Sequence, residues 1–147
     1  DFLTNKYINT GDNKIYGIES RNTWKVSSEV GSKLNINYLR AYNKKTEADL
    51  LLRPKWQGSH SWYYKKDQSA YELQAQYIGN RSAVDAVSFS TVEAPSIFLL
   101  HALYQYQVSS NLKLDVSIQN LLNKKYNYIP GYSSLGLGAF GEVTYAF

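Results

Sequence analysis

The feature that most constrains this chain is a period-two alternation of apolar and polar side chains, which recurs along nearly its whole length. In the segment Leu112–Asn120, two Leu, a Val and an Ile alternate with Lys, Asp, Ser and Gln. Successive side chains of a β-strand point to opposite sides, so this pattern predicts a strand with one apolar and one polar face. Patterns with the 3.6-residue spacing of an amphipathic helix are hard to find. The chain is therefore expected to be all-β.

Seven segments carry the alternation and are predicted to be strands. They are Lys14–Val26, Lys33–Arg40, Lys55–Lys65, Ala70–Ile78, Ser96–Val108, Leu112–Asn120 and Gly136–Phe147. The tail of an eighth strand is expected in Asp1–Thr4. On the apolar sides of these strands the only charged or titratable residues are Arg40 and His60, and Arg40 lies near a strand end, from which its charge can reach water.

The predicted connectors alternate between short and long. The short ones are Ser27–Ser32, Lys66–Ser69 and Ser109–Asn111, and the long ones are Asn43–Arg53, Gly79–Pro95 and Lys124–Leu135. Short turns at one end of a sheet and long loops at the other are typical of outer-membrane β-barrels. Tyr and Trp residues recur near the predicted strand ends, as they do at membrane interfaces. These features favour an antiparallel transmembrane β-barrel over a soluble sandwich or barrel, which would also alternate.

Composition excludes several other classes of function. The chain of 147 residues has 16 Lys and Arg against 12 Asp and Glu, but these basic residues form no stripe, so a nucleic-acid partner is not expected. It contains no Cys, which excludes disulfides, thiolate metal sites and cysteine nucleophiles. The longest apolar run has four members, Ile97–Leu100, against the roughly 20 residues that a membrane helix needs. A catalytic role is therefore not indicated by composition.

Four short motifs carry a resemblance to a known family. The run Asn120–Tyr126, followed by Gly131-Tyr132 and a last strand ending in Phe147, resembles the closing region of TonB-dependent outer-membrane receptors. Further similarities, in matching order and spacing, are Ile15–Glu19, Arg53-Pro-Lys55 and Tyr77–Arg81. The chain departs from the family pattern at Leu122, where Phe is usual, and at His60, where an apolar residue is expected.

The resemblance implies that residues 1–147 are the C-terminal portion of a receptor barrel, without its plug domain. At about 21 residues per strand and connector, a barrel of about 22 strands takes roughly 460 residues, so about seven strands of such a barrel are expected here. The implied function is energy-coupled uptake of a scarce ligand such as a siderophore, cobalamin or haem. The implied partners are outer-membrane lipid, the rest of the barrel and its plug, the barrel assembly machinery, and the TonB complex acting through an N-terminal region outside this chain. The implied location is the outer membrane of a Gram-negative type of bacterium.

Two alternatives remain open at this point. A small autonomous outer-membrane barrel or adhesin would have a structural role, and a soluble β-sandwich would be a binding module. Either would alternate in the same way.

Candidate functional residues lie in the long loops and in the last strand. Ligand contacts are expected in Asn43–Leu52, Gly79–Ala94 and Asn127–Leu135, and the candidate residues are Trp56, Arg81, Tyr128 and Tyr132. The resemblance further implies that the final strand carries a signal for assembly into the membrane. Its candidate residues are Val143, Tyr145 and Phe147.

No motif in the sequence indicates catalysis or the binding of a metal or cofactor. The glycines of Gly136–Gly141 match a dinucleotide-binding fingerprint, but such a motif must follow a strand and open a helix, and here it enters an alternating segment. His60 and His101 are the only histidines, and neither has a carboxylate at ligand spacing. No Ser has a His–acid pair beside it in the sequence. No catalytic residue, metal site or cofactor is therefore expected.

Overall fold

The computed structural model describes residues 11–147, which form β-strands and the segments that join them. The strands are β1 (Asn13–Lys25), β2 (Val30–Asn43), β3 (Trp56–Lys66), β4 (Ser69–Ile78), β5 (Arg81–Val84), β6 (Thr91–Ala94), β7 (Ile97–Gln107), β8 (Leu112–Gln119) and β9 (Gly138–Tyr145). Seven of them form one antiparallel sheet in the order β1-β2-β3-β4-β7-β8-β9, and β5 pairs with β6 in a separate hairpin. No helix in this part of the chain is long and apolar enough to cross a membrane.

The register of the sheet confirms the predicted segregation of side chains. Leu114 lies opposite Tyr106 and Val143, whereas its neighbour Asp115 lies opposite Gln105 and Glu142. Since residues directly opposite each other point to the same side, the even-numbered positions of β8 join one side of the sheet and the odd-numbered ones the other. We call these the apolar face and the polar face. The pairing carries the same two faces through all seven strands, although the polar face of β7 also bears Ile97, Leu99 and Leu103.

The predicted strands are found, with differences at their ends and in one loop. β2 is longer than the predicted Lys33–Arg40 because Gly31, Ser32 and residues 41–43 also pair with β1. β9 is shorter than the predicted Gly136–Phe147, since its pairing with β8 covers only Gly138–Tyr145. The long connector predicted at Gly79–Pro95 is present, and it contains a short hairpin, β5–β6, that was not predicted. The prediction for Asp1–Thr4 lies outside the described residues.

The two ends of the sheet differ as expected. The connectors at one end, the turn end, span 26–29, 67–68 and 108–111, and those at the other, the loop end, span 44–55, 79–96 and 120–137. The backbone N–H of Ala146 donates to Asn111 O at 2.9 Å, so the chain leaves β9 at the turn end. The last strand therefore ends on the side of the sheet opposite the long loops.

Aromatic rings on the apolar face form two bands. Near the turn end, Tyr71 lies between Tyr64 and Tyr104, with ring centroids 6.1 and 4.9 Å away. Near the loop end, Tyr38 contacts Trp56 with centroids 4.8 Å apart. Trp56 and Tyr64 are eight residues apart on β3, which is about 26 Å along the strand. At a tilt of about 40° this separation spans roughly 20 Å along the barrel axis, somewhat less than the apolar band of about 25 Å between the two aromatic girdles of a membrane barrel.

The sheet is a single layer with both faces exposed. Many large apolar side chains on the apolar face are exposed, for example Ile18 at 74%, Val116 at 48% and Ile36 at 40%. The ring of His60, also on this face, lies between the rings of Trp24 and Trp62, with centroids 6.5 and 4.0 Å away. Nothing within the described residues covers the apolar face, so the sheet itself has no hydrophobic core.

Candidate binding site at the loop end of the sheet

The three long connectors form one packed unit, which we call the loop cluster: residues 44–55, the β5–β6 hairpin with its turn (81–94), and residues 120–137. The backbone N–H of Leu52 donates to Ser82 O at 2.8 Å, which joins the first connector to the hairpin. Gly131 approaches the hairpin turn so closely that a Cβ atom there would lie 2.7 Å from the Cβ of Ala86. The hairpin is therefore held between the other two connectors.

Arg81 is the central contact of this unit. Its side chain is buried, and its guanidinium donates to the carbonyl oxygens of Pro95 and Asn127 at 3.2 Å and to that of Tyr128. The guanidinium carbon also lies 4.5 Å from the centre of the Tyr128 ring. A planar fork of donors suits several carbonyl partners at once. Arg81 thus joins two connectors that are more than 40 residues apart in the sequence.

The run that begins at Asn120 forms the turn after β8. Asn120 is buried, and its side chain both donates to Lys124 O and accepts from Lys124 N, each at 2.9 Å. Its φ of 51° lies in the left-handed region, which Asn tolerates better than most residues. The backbone N–H of Asn123 donates to Asn120 O at 2.7 Å within this turn, and the side-chain Oδ1 of Asn123 accepts from Leu137 N at 3.0 Å. The two asparagines therefore fix both ends of the last connector.

The hairpin turn is organised by Asp85. One carboxylate oxygen accepts from Val87 N, Ser88 N and Ser88 Oγ at 3.1, 2.8 and 2.9 Å. Hydrogen bonds from Ser88, first from its backbone N–H and then from its hydroxyl, and from Val87 lower the pKa of Asp85 below its ordinary value, because they stabilise the charged form.

A pocket of about 390 Å³ opens beside the cluster, and we call it the rim pocket. Its charged lining residues are Asp49, Arg53, Lys55, Arg81 and Glu93. Asp49 forms ion pairs with Lys55 at 2.8 Å and with Arg40, from the end of β2, at 2.9 Å. Trp56 and Tyr77, both on the apolar face, complete one wall. The rim pocket therefore lies where the apolar face meets the loop cluster.

The four predicted ligand-binding residues are only partly brought together. Arg81 contacts Tyr128 and shares the rim pocket with Trp56, while Tyr132 is 65% exposed and forms no ring contact or side-chain hydrogen bond with the other three in the described chain. Sequence reasoning missed the Arg40–Asp49–Lys55 group. The signal was the Arg53-Pro-Lys55 motif, but the partner Asp49 could not be identified without the fold.

The polar face carries a network of uncharged hydrogen bonds. Gln74 donates to Ser61 Oγ at 3.1 Å, Asn35 donates to Ser59 Oγ at 3.2 Å, and His101 lies 3.3 Å from Gln76 Oε1. Residues 11–147 contain no group of three or more His, Asp or Glu side chains placed to share a metal ion. These side chains make the middle of β2, β3 and β4 hydrophilic on this face, as the wall of an aqueous lumen would be, while Leu103 of β7 adds an apolar side chain.

Comparison with known families and structures gives one consistent result. Residues 1–121 match the family model described as "TonB dependent receptor-like, beta-barrel". Similar solved structures include the copper transporter OprC, at 14% identity and a TM-score of 0.81, with 93% of this chain and 24% of that chain covered. They also include the ferric citrate transporter FecA in its unliganded form, at 16% identity and a TM-score of 0.79, with 90% and 24% covered.

A third similar structure is the ferric-catecholate import receptor Fiu from K12 E. coli, at 16% identity and a TM-score of 0.74, with 92% of this chain and 21% of that chain covered. At these identities the likeness is one of fold. The chain spans about a quarter of the length of these structures.

Proposed function

The chain belongs to the family of TonB-dependent receptor-like β-barrels, and from this premise we propose that it forms part of the wall of an outer-membrane receptor that imports a scarce ligand. The observation that carries the proposal is the single-layer sheet with an apolar face, a polar face and all long connectors at one end. In a membrane barrel the apolar face meets lipid, the polar face lines the lumen and the long loops are external. The proposed location is the outer membrane of a Gram-negative type of bacterium.

The proposal includes further strands and a plug outside this chain. β1 and β9 form the two edges of the sheet, and the described residues contain no contact between them. An open sheet edge in a bilayer leaves backbone N–H and C=O groups without partners. We therefore place residues 1–147 as the C-terminal portion of a larger barrel. Energy would come from the TonB complex, acting through an N-terminal region outside this chain.

The proposed cargo is a metal chelate, such as a ferric siderophore, cobalamin or haem. The similar structures are named for copper, ferric citrate and ferric catecholates, which are all metals or metal complexes. Within this chain we propose that Tyr128 and Tyr132 offer exposed rings to the ligand and that Arg81 positions Tyr128. A ligand contact of Trp56 stays a prediction, and its ring lies on the apolar face.

Uptake assays test the proposal directly. A strain lacking the complete receptor should fail to accumulate one radiolabelled ferric siderophore, cobalamin or haem, and a strain lacking the TonB protein should fail in the same way. Fractionation should recover the receptor with the outer membrane. If the receptor is found there and its loss changes adhesion but no uptake, the autonomous structural barrel becomes the better account.

We also propose that Val143, Tyr145 and Phe147 form an assembly signal recognised by the barrel assembly machinery. Val143 and Tyr145 lie on the apolar face of β9, and the Tyr145 and Phe147 rings meet edge to face with centroids 5.4 Å apart. Deleting Phe147 from the complete receptor should lower the assembled amount much more than synthesis. The ligand affinity of assembled molecules should not change, since Phe147 follows β9 at the turn end. Normal assembly after the deletion would contradict this role.

A further inference from the structure

Two adjoining cavities on the apolar side of the sheet differ sharply in chemistry. The rim pocket is polar and charged, whereas a groove of about 420 Å³ on the apolar face is lined mostly by apolar side chains, among them Leu34, Ile36 and Phe98. Trp56 and Tyr77 line both cavities and form the boundary between them. A molecule that filled both would need a polar head joined to an apolar chain.

The charged residues of the rim pocket indicate which charge the polar head group of such a molecule would carry. Asp49 is already paired with Arg40 and Lys55, and Glu93 accepts a hydrogen bond from Asn80 at 2.7 Å. Arg53 lines the pocket and forms no ion pair with any residue in 11–147. With Arg40 included, four basic side chains surround two carboxylates, so the pocket attracts an anion.

The position of the two cavities selects the source of the anion. Trp56, Tyr38 and Tyr77 belong to the aromatic band at the loop end of the apolar face, and such bands lie at the level of lipid headgroups. The basic residues lie just beyond this band, and the groove lies on its membrane side. Basic side chains in this position attract anionic headgroups, and a guanidinium matches a phosphate in geometry.

We propose that the rim pocket and the apolar groove together bind one phosphorylated lipid of the outer leaflet. Its phosphate would contact Arg53 and Lys55, and one acyl chain would pass between Trp56 and Tyr77 into the groove above Gly58. The inference rests on the proposed placement of the apolar face in the bilayer. It concerns the side of the sheet opposite the polar face, and so a site separate from the path of the imported ligand.

The test uses the complete receptor, purified, stripped of lipid and titrated with diphosphorylated lipid A by native mass spectrometry. The double variant R53Q/K55Q should bind the lipid about 25-fold more weakly, because each basic residue at an anionic surface contributes roughly fivefold. The matched control K124Q/K125Q removes the same charge from another connector at the loop end and should bind like the wild type. A75L, which fills the groove, should also weaken lipid binding.

Two further arms separate lipid from free phosphate. Dephosphorylated lipid A should bind no better to the wild type than to R53Q/K55Q, and inorganic phosphate should fail to displace the lipid. Displacement by phosphate together with normal binding to A75L would overturn the lipid assignment in favour of a simple anion pocket. Equal binding of lipid A by the wild type and R53Q/K55Q would overturn the site altogether.

Insertion of the same preparations into phosphatidylcholine vesicles separates this inference from the proposed function. If the wild type inserts but shows no preference for the phosphorylated lipid, only the lipid site is wrong. If it does not insert at all, the membrane placement is wrong and the lipid site falls with it. If R53Q/K55Q does not fold, the comparison of phosphorylated with dephosphorylated lipid A on the wild type still tests the site.

Discussion

The sheet and the loop cluster are stabilised in different ways. In the sheet, apolar side chains such as Ile18 and Val116 stay exposed, and the strands are held by backbone pairing. The buried side chains of the described chain are concentrated at the loop end, and most of them belong to the cluster or to strand residues beside it: Ala41, Arg81, Ala83, Ala94, Ile97, Leu99 and Asn120. The sheet therefore depends on the medium around it, while the cluster is packed by its own residues.

This difference predicts which substitutions each region tolerates. In a bilayer, the apolar face should resist charge and accept changes of apolar shape, because lipid adapts to shape more readily than to charge. The cluster should resist changes of shape and of hydrogen bonding, since its buried groups have fixed partners.

The largest expected effect is a charge on the apolar face. V116R, near the middle of β8, should cost about 2–4 kcal/mol of folding free energy in a bilayer if this position lies near the midplane. The matched control S117R places the same side chain on the polar face of the same strand, and should cost less than about 1 kcal/mol. Urea unfolding of the complete receptor in vesicles measures both. Equal costs for the two variants would remove the distinction between the faces.

The next largest effect is expected from the loss of Arg81 in the loop cluster. R81A should destabilise the cluster by about 2–3 kcal/mol, because a buried charged donor to three carbonyl oxygens is lost. Hydrogen exchange should quicken in residues 81–94 and 120–137 while β3 and β4 keep their protection. R53A is the control, since Arg53 forms no ion pair within residues 11–147. Exchange that quickens equally in sheet and cluster would show that the two regions are one cooperative unit.

Much of the sheet could be predicted from the sequence because its two faces meet different environments. Leu114 and Asp115 differ in polarity for this reason alone, and neither needs a particular partner to show it. The period-two pattern therefore identified all seven strands of the sheet. The strand ends could not be predicted as well, since residues 41–43, which extend β2, pair with β1 outside the segment that alternates.

The cluster could not be predicted in the same way, because its contacts join remote segments. Arg81 was identified as a ligand-binding candidate, but its carbonyl partners lie 46 and 47 residues away and leave no local pattern. The β5–β6 hairpin was missed because its strands have four residues each, too short to show a period. The ion pair between Arg40 and Asp49 was missed, since neither residue reveals its partner in the sequence.

A smaller effect is expected at Gly131, where the backbone conformation and a close contact both favour glycine. Gly131 has a φ of 86°, and a Cβ there would also lie 2.7 Å from the Cβ of Ala86. G131A should therefore destabilise the cluster by about 1–2 kcal/mol. In the double variant G131A/A86G the contact is relieved and the backbone strain stays, so a coupling of about 0.5–1 kcal/mol is expected. Exchange rates in residues 81–94 measure it. Additive effects of the two substitutions would exclude the close contact between hairpin and connector.

The smallest effect is a dependence of the hairpin turn on pH. Because hydrogen bonds from Ser88 and Val87 lower the pKa of Asp85 in the folded state, the carboxylate stabilises the turn above the pKa that Asp85 has when unfolded. This stabilisation is lost as the pH falls through the lower, folded pKa. Protection of the Val87 and Ser88 amides, corrected for intrinsic exchange, should therefore decrease on acidification below about pH 4.

D85N keeps an acceptor without the charge and should show weaker protection that no longer changes in this range. D67N, at the turn end, should leave the response of the hairpin unchanged. A response that persists in D85N would assign the pH dependence to another group of the cluster, and would show that the turn is not organised by its own carboxylate.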